Sequence, residues 1–248
     1  MASSFDPLHW QTAIALNLVL LGIALLLPKK LLTPVGYLHA WVLGVIVWAT
    51  LGWRGYLVVL FYFLVGSAVT RMGLARKQAA GIAEQRGGQR GPANVWGSAA
   101  GGVTCALLTL VLPAGLSFWH LGYVGSFAAK LSDTTATEIG KAYGKHTFSP
   151  IRFKPVPAGT EGAVSLEGTL AGIVASGAIA LLGWSVGLIS PWGIAICLLA
   201  AFLATSLESL LGSTLQGKVP WLTNEVVNGL MTVIGGAIAV ALGRGVLR

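Results

Sequence analysis

Eight stretches dominated by apolar residues, each close to the length of a membrane crossing, divide this chain and leave few folds open to it. They run roughly over 10–27, 35–53, 55–72, 94–115, 119–143, 168–188, 191–212 and 221–243. A bilayer's hydrocarbon core is about 30 Å thick and takes about 20 helical residues to cross. Composition agrees: 55% of the residues are hydrophobic and 10% are charged, where a soluble domain carries about 25% charged residues. The expected fold is all-α: a polytopic integral membrane protein with about eight transmembrane helices (seven to eight) in a single helix-bundle domain, 1–248. The second and third spans are joined tightly at Gly52-Trp53-Arg54-Gly55. The 34 glycines suit close packing of helices in lipid, and Gly101-Gly102 and Gly235-Gly236 read as such contacts. Cys105 and Cys197 both fall inside apolar segments and read as packing residues. The start, MASSFDPLHW, has no basic region ahead of its apolar run, so no cleaved signal peptide is expected.

The net charge of +8 is distributed unevenly. With an external N-terminus, eight spans place Lys29-Lys30, the loop 71–93, the loop 144–167 and the turn around Lys218 on the inner side. Together with Lys141 these hold twelve of the sixteen Lys and Arg. Arg54, Arg244 and Arg248 fall on the opposite side, and Lys130 lies within a span. That asymmetry obeys the positive-inside rule and orients the chain. No soluble basic domain exists to carry a nucleic-acid interaction, so a nucleic-acid partner is not expected.

Only eight Asp and Glu occur, and six of them, Asp133, Glu138, Glu161, Glu167, Glu208 and Glu225, lie within or beside apolar segments. A carboxylate there is costly without a partner, water or a metal ion. Asp133, Thr137 and Lys141 are spaced i, i+4, i+8 and share one helix face. Ala136, Gly140 and Gly144 form a neighbouring stripe of small residues that admits another helix or a ligand. Glu138 is turned about 140° from Asp133. For both acids a metal ligand stands beside an intramembrane ion pair as a reading, with Lys130 the obvious partner of Asp133. Asn94, Glu138, Lys141, Glu208, Asn224, Glu225 and Asn228 come from different spans, yet the topology gathers them at one membrane surface. A transport path would distribute such groups toward both surfaces.

The loop from Phe148 reads FSPIRFKPVPAGTEGAVSLEGTLAG. Its glycines let backbone N–H groups approach an anion, Lys145, Arg152 and Lys154 supply positive charge, and the sixth span begins just after it with an N-terminus that favours phosphate. A loop anchored on lipid headgroups is the alternative. Arg86 and Arg90, in QRGGQRGPANVWG, could close over phosphates or form a basic surface loop. Asn224 and Asn228 share a face, and either Thr223 or Asn224 suits a helix cap. No Walker loop, HExxH or G-x-S-x-G is present, and the histidines at 9, 39, 120 and 146 have no metal-ligand spacing.

Four runs together, DTTATEIGKAYGKH from Asp133, KPVPAGTEGAVSLEGT from Lys154, LESLLGSTLQ from Leu207 and LTNEVVN from Leu222, resemble the membrane family of phytyl-phosphate kinases of tocopherol biosynthesis. The likeness extends from about Arg86 to Asn228. More distantly, D-x-x-A-x-x-x-G-x-x-x-G resembles the CTP-dependent phytol and dolichol kinases and phosphatidate cytidylyltransferase, although the Lys-Asp and His-Gly-Gly elements of the last are missing. The resemblance implies transfer of the γ-phosphate of CTP to a prenyl monophosphate, phytyl or geranylgeranyl phosphate, with Mg²⁺ as cofactor. A lipid alcohol kinase or cytidylyltransferase is the alternative, and an ion-coupled transporter a further one. Asp133, Lys154 and Lys141 would be catalytic, and Asp133, Glu138, Glu208 and Glu225 metal-binding. Arg90, Asn94, Thr137, Lys145, Arg152, Thr160, Glu161, Glu167, Asn224 and Asn228 would serve the nucleotide, with the loops 71–93 and 144–167 forming part of the site. Its expected position is the cytoplasmic face of an inner or thylakoid-type membrane, in contact with membrane lipids. Oligomeric state is open, a homodimer included.

Overall fold

A computed structural model describes residues 7–151 and 153–246. Arg152 and Arg248, and the first six residues on which the signal-peptide expectation partly rests, lie outside that range. The helices are α1 (Pro7–Leu26), α2 (Pro34–Arg71), α3 (Leu74–Ala79), α4 (Pro92–Val111), α5 (Leu116–Tyr143), α6 (Leu166–Ser185), α7 (Pro191–Thr214) and α8 (Asn224–Val246). Between α5 and α6 lies a small antiparallel sheet of β1 (Thr147–Ser149), β2 (Lys154–Pro155) and β3 (Val164–Ser165), in the order β2-β1-β3. Among the described residues six helices, α1, α2, α4, α6, α7 and α8, are long and apolar enough to cross a membrane.

The 38 residues of α2 form two helices joined at Gly52, whose φ of 60° and ψ of −157° are not helical. Arg90 shows that the halves fold back on each other. Its carbonyl accepts from the Thr33 N–H at 3.1 Å, and its guanidinium donates to the Tyr62 hydroxyl at 2.6 Å. A straight helix would put positions 33 and 62 about 43 Å apart, far beyond one arginine's reach. Trp48 packs edge-on against Tyr56 across the hairpin, with ring centroids 5.4 Å apart. The tight junction at 52–55 is therefore a reversal, and α2 supplies both the second and the third span.

Charge keeps α5 from passing as a span on apolarity, yet it runs through the middle of the bundle. Its 28 residues extend about 42 Å. Near its start Leu121 packs on Gly243 of α8, and further along Lys130 bonds Asn228 near the other end of α8. Leu121, Tyr123, Val124, Phe127, Ala128 and Leu131 are buried to 2% exposure or less. With the α2 hairpin and α5 included, the described residues make about eight crossings.

Small residues make this packing possible. A Cβ on Gly168 or Gly172 of α6 would meet the carbonyl of Ala136 or Ser132 on α5, and Gly140 faces the Ser165 hydroxyl. The stripe Ala136-Gly140-Gly144 thus receives α6. Gly101 seats against the Thr232 carbonyl of α8, Gly102 against the Phe127 ring, and Gly235 against Ala129. Both glycine pairs are helix contacts. Cys105 and Cys197 are buried free thiols.

All four connections expected on the inner side meet at one end of the bundle. Arg90 N–H donates to the Leu31 carbonyl at 3.0 Å, Gly159 abuts Ile82, and Gly162 abuts Ser209 and Ser213 of α7. Arg54, beside Gly187, and Arg244, over Phe118 and Trp119, sit at the other end.

Gly52 supplies a test of the hairpin. No neighbour lies within 4 Å of a Cβ built there, so substitution meets backbone strain alone. Gly52→Ala is expected to destabilise the protein by about 1–3 kcal/mol, measured as a lowered Tm in detergent. Gly245→Ala, likewise in open space but without a positive φ, is expected to leave Tm unchanged.

Candidate functional site

At the end where the connections meet, a cavity of about 500 Å³ opens between α4, α5, α6, α7 and α8 under the two long loops. Its floor is α5. Helical periodicity directs Asp133, Thr137 and Lys141 into it together, along with Lys130 one turn earlier. Asp133 is buried, 9% exposed, and its Oδ2 accepts from Lys130 Nζ at 2.6 Å. Lys130 Nζ also donates to Asn228 Oδ1 at 2.6 Å. Two of the three ammonium protons are thereby used and one remains for a ligand. The ion-pair alternative for Asp133 is realised, while its Oδ1 remains a further acceptor.

Glu138, expected as a metal ligand, borders the cavity but is paired with a lysine. It forms a buried ion pair with Lys77 of α3, and Lys77 also donates to the Thr70 carbonyl at 2.8 Å. Both side chains are almost wholly buried, so each charge requires the other. Glu225, also expected at a metal, accepts from Asn94 Nδ2 at 3.4 Å. Asn94 in turn accepts from the Gly91 N–H at 3.0 Å and from Arg86 at 3.5 Å. This network ties the starts of α4 and α8 together, and Gly97 permits it by lying against the Glu225 carbonyl. Thr223, rather than Asn224, caps α8 by accepting from the Val226 N–H.

Glu208 enters the cavity from α7, where its carboxylate interacts with Lys130, Asp133 and Glu161. Glu161 and Thr160 reach the rim because the turn they occupy, flanked by Gly159 (φ 87°) and Gly162 (φ 68°), is pinned to α7. Arg90 lines the opposite wall, stacked over Tyr62 with its guanidinium 5.1 Å from the ring centre, and Arg86 lies at the mouth. Asn224 and Asn228 complete the α8 side.

Among the described residues, three expected at the site do not line the cavity. Lys154 is exposed in β2 at the sheet edge. Lys145 offers its backbone N–H to Glu167 Oε1 at 3.3 Å, which holds Glu167 over the start of α6. The family resemblance implied roles for Lys154 and Glu167, and loop charge suggested Lys145, but β2 and β3 pair on either side of β1 and none of the three lines the cavity. The residues that sequence reasoning left out of the set are Lys130, whose signal was its place three residues before Asp133, and Lys77, which nothing local to Glu138 could reveal.

The electrostatic character of the cavity is mixed and purposeful in its placement. Arg86, Arg90, Lys130 and Lys141 line it, and so do the first turns of α4, α6 and α8, through Asn94, Gly168 and Asn224. Each helix N-terminus carries about half a positive charge, although the Gly168 N–H is taken by the Ser165 hydroxyl and the Val226 N–H by Thr223. Six carboxylates, Glu84, Asp133, Glu138, Glu161, Glu208 and Glu225, line the same cavity, so a polyanion there would need a metal ion beside these cations. Among the described residues no three His, Cys, Asp or Glu side chains cluster so as to cage a metal ion. Mg²⁺ does not need such a cage, since it keeps several waters and is held by one or two carboxylates plus substrate phosphates. Asp133 and Glu208 fit that pattern. Beneath the cavity Tyr123, Phe127 and Leu131 are fully buried and fill the centre of the bundle.

A polytopic helical membrane protein with a charged cavity at one end is the class these features define. Residues 17–236 match the family described as integral membrane protein DUF92, and the chain belongs to that family. It is 64% identical over 234 residues to an uncharacterised membrane protein of Synechocystis, covering 94% of this chain and 91% of that one. It is 42% identical over 244 residues to the chloroplastic protein VTE6 of Arabidopsis thaliana, covering 96% of this chain and 73% of that one. An uncharacterised membrane protein of Methanocaldococcus jannaschii is 31% identical over 227 residues, covering 91% and 92%. No solved structure matches.

The Lys77–Glu138 pair yields a prediction. Lys77→Met strands a buried carboxylate and is expected to cost about 3–5 kcal/mol. Adding Glu138→Leu is expected to restore most of that loss. Thermal unfolding of the two single variants and the double variant in detergent measures the coupling.

Proposed function

We propose that this protein is a membrane kinase that transfers the γ-phosphate of CTP to a prenyl monophosphate, giving the prenyl diphosphate. One observation carries the reading: four cationic side chains, the starts of three helices and six carboxylates, Asp133 and Glu208 among them, converge in one cavity at the end of the bundle where the connections meet. The motif resemblance at Asp133, Glu161 and Glu208, and the 42% identity to VTE6, support the choice of reaction within that chemistry.

The acceptor is itself an anionic phosphate oxygen, so no strong base has to remove a proton. What opposes reaction is the repulsion between two polyanions. Arg86, Arg90, Lys141 and the free proton of Lys130 would screen it, and the N–H groups opening α4, α6 and α8 would hold the phosphates in line. Lys130 would also fix the rotamer of Asp133. Mg²⁺, held by Asp133 and Glu208 with phosphate oxygens, would neutralise charge on the transferring group. Asn228 would keep Lys130 oriented, and Asn224 and Thr160 would offer polar contacts to the nucleotide. An alcohol acceptor would need a base within reach of its hydroxyl. The filled centre beneath the cavity favours surface chemistry over a transport path.

Purified protein with geranylgeranyl monophosphate, CTP and Mg²⁺ is expected to form the diphosphate, followed by mass spectrometry. Asp133→Asn is expected to lower turnover by roughly 100-fold or more and, by leaving Lys130 without its counter-charge, to lower the Tm in detergent while the helical fold persists by circular dichroism. Lys154→Ala removes an exposed charge outside the cavity and is expected to change kcat/KM by less than about threefold. Full activity in Asp133→Asn would refute the assignment.

A further inference from the structure

The cavity is not closed on all sides. Between α6 and α7 its wall is made of Thr169 and Ile173 on one side, and Phe202, Thr205 and Ser206 on the other. Ile173 and Phe202 line the cavity and are also 42% and 47% exposed on the outside of the bundle. In a chain that spans a bilayer, that outside is lipid. The gap runs inward from the polar end. Phe202 lies six residues before Glu208 on α7, about 9 Å along the helix axis. The far end of the gap is shut where Leu198 of α7 meets Gly177 of α6, a Cβ built there lying 3.7 Å from Leu198 Cδ2. Its back is α5, through Ser132, Asp133 and Ala136.

Such a slot changes character across its depth. On its inner side it presents Lys130 and Asp133 of α5 and Glu208 of α7, beside the hydroxyls of Thr169, Thr205 and Ser206; Ile173, level with Lys130 because Gly172 seats on Ser132, and Phe202 form its outer, apolar lip. The helices at its sides leave it open because α6 is drawn tightly onto α5 by the Gly168 and Gly172 contacts. Meanwhile α7 turns its small buried residues, Cys197, Ala200, Ala201 and Ala204, inward, which leaves Phe202 facing out. An amphiphile with a phosphate head and a branched hydrocarbon tail matches that gradient.

We propose that the α6–α7 cleft is the lateral portal for the lipid substrate, with Ile173 and Phe202 gripping the first isoprene units while the phosphate reaches Lys130. This rests on the kinase reading for the identity of the lipid, but the portal is a statement about binding. A substrate taken this way keeps its tail in the bilayer throughout. Ile173 and Phe202 set how bulky and how stiff the units nearest the headgroup are allowed to be.

The test is photolabelling in nanodiscs with geranylgeranyl monophosphate carrying a diazirine on its second isoprene unit, with the labelled residues mapped by mass spectrometry. Label is expected on α6 and α7 around Ile173 and Phe202, and unlabelled geranylgeranyl phosphate is expected to compete it away. The double variant Ile173→Trp/Phe202→Trp is expected to reduce that labelling about tenfold, whereas Leu181→Trp, on the lipid-facing side of α6, is expected to leave it unchanged. Label concentrated on α1 or α2, or unaltered in the double variant, would overturn the portal. The two readings fail separately. Cleft labelling without formation of diphosphate would remove the kinase assignment and keep the portal, and diphosphate formation with label elsewhere would do the reverse.

Discussion

The bundle is organised around the charges of one helix. Lys130, Asp133, Glu138 and Lys141 lie on α5, and such side chains cannot face hydrocarbon at acceptable cost. The helix is therefore placed at the centre, where Lys130 meets Asp133 and Asn228, and Glu138 meets Lys77. A buried ion pair need not add stability, but it dictates position. Once α5 is central, the more apolar helices take the outer places, and their small residues, Gly101, Gly168, Gly172 and Gly235, let them approach.

That arrangement also explains why the cavity is where it is. The polar part of α5 lies toward one end, and its first half, with Leu121, Tyr123, Val124 and Phe127, packs the other. Because α4, α6 and α8 all begin at the polar end, the positive ends of their dipoles lie beside the same space as Lys130 and Lys141. Charge, helix direction and loop cover thus arise from one topological fact, the parity of an eight-pass chain. The glycine turn at Gly159–Gly162 completes the rim by clasping α7.

Much of this was legible in the sequence because membrane helices obey strict rules. Span length and charge exclusion give the crossings, and the reversal at Gly52 was visible as two spans with no room between them. Helical periodicity was sufficient to place Asp133, Thr137 and Lys141 on one face and to turn Glu138 away. What was not legible depends on contacts distant in the chain. Lys77 reaches Glu138 across 61 positions from a short helix within a basic loop, and no local pattern announces it. Lys154 and Lys145 belong to a stretch whose side-chain directions are decided by the pairing of β1 with β2 and β3. In such a stretch, composition indicates phosphate chemistry without fixing which lysine provides it.

The central claim is that this polar end performs phosphoryl transfer to a lipid phosphate. Its most direct measurement follows two labels through one reaction: CTP labelled on the γ-phosphate and, separately, on the α-phosphate, each incubated with purified protein, Mg²⁺ and geranylgeranyl monophosphate. The account predicts γ-label in a lipid diphosphate and α-label retained in CDP. Appearance of α-label in the lipid, with release of pyrophosphate, or absence of both labels from the lipid, would contradict it.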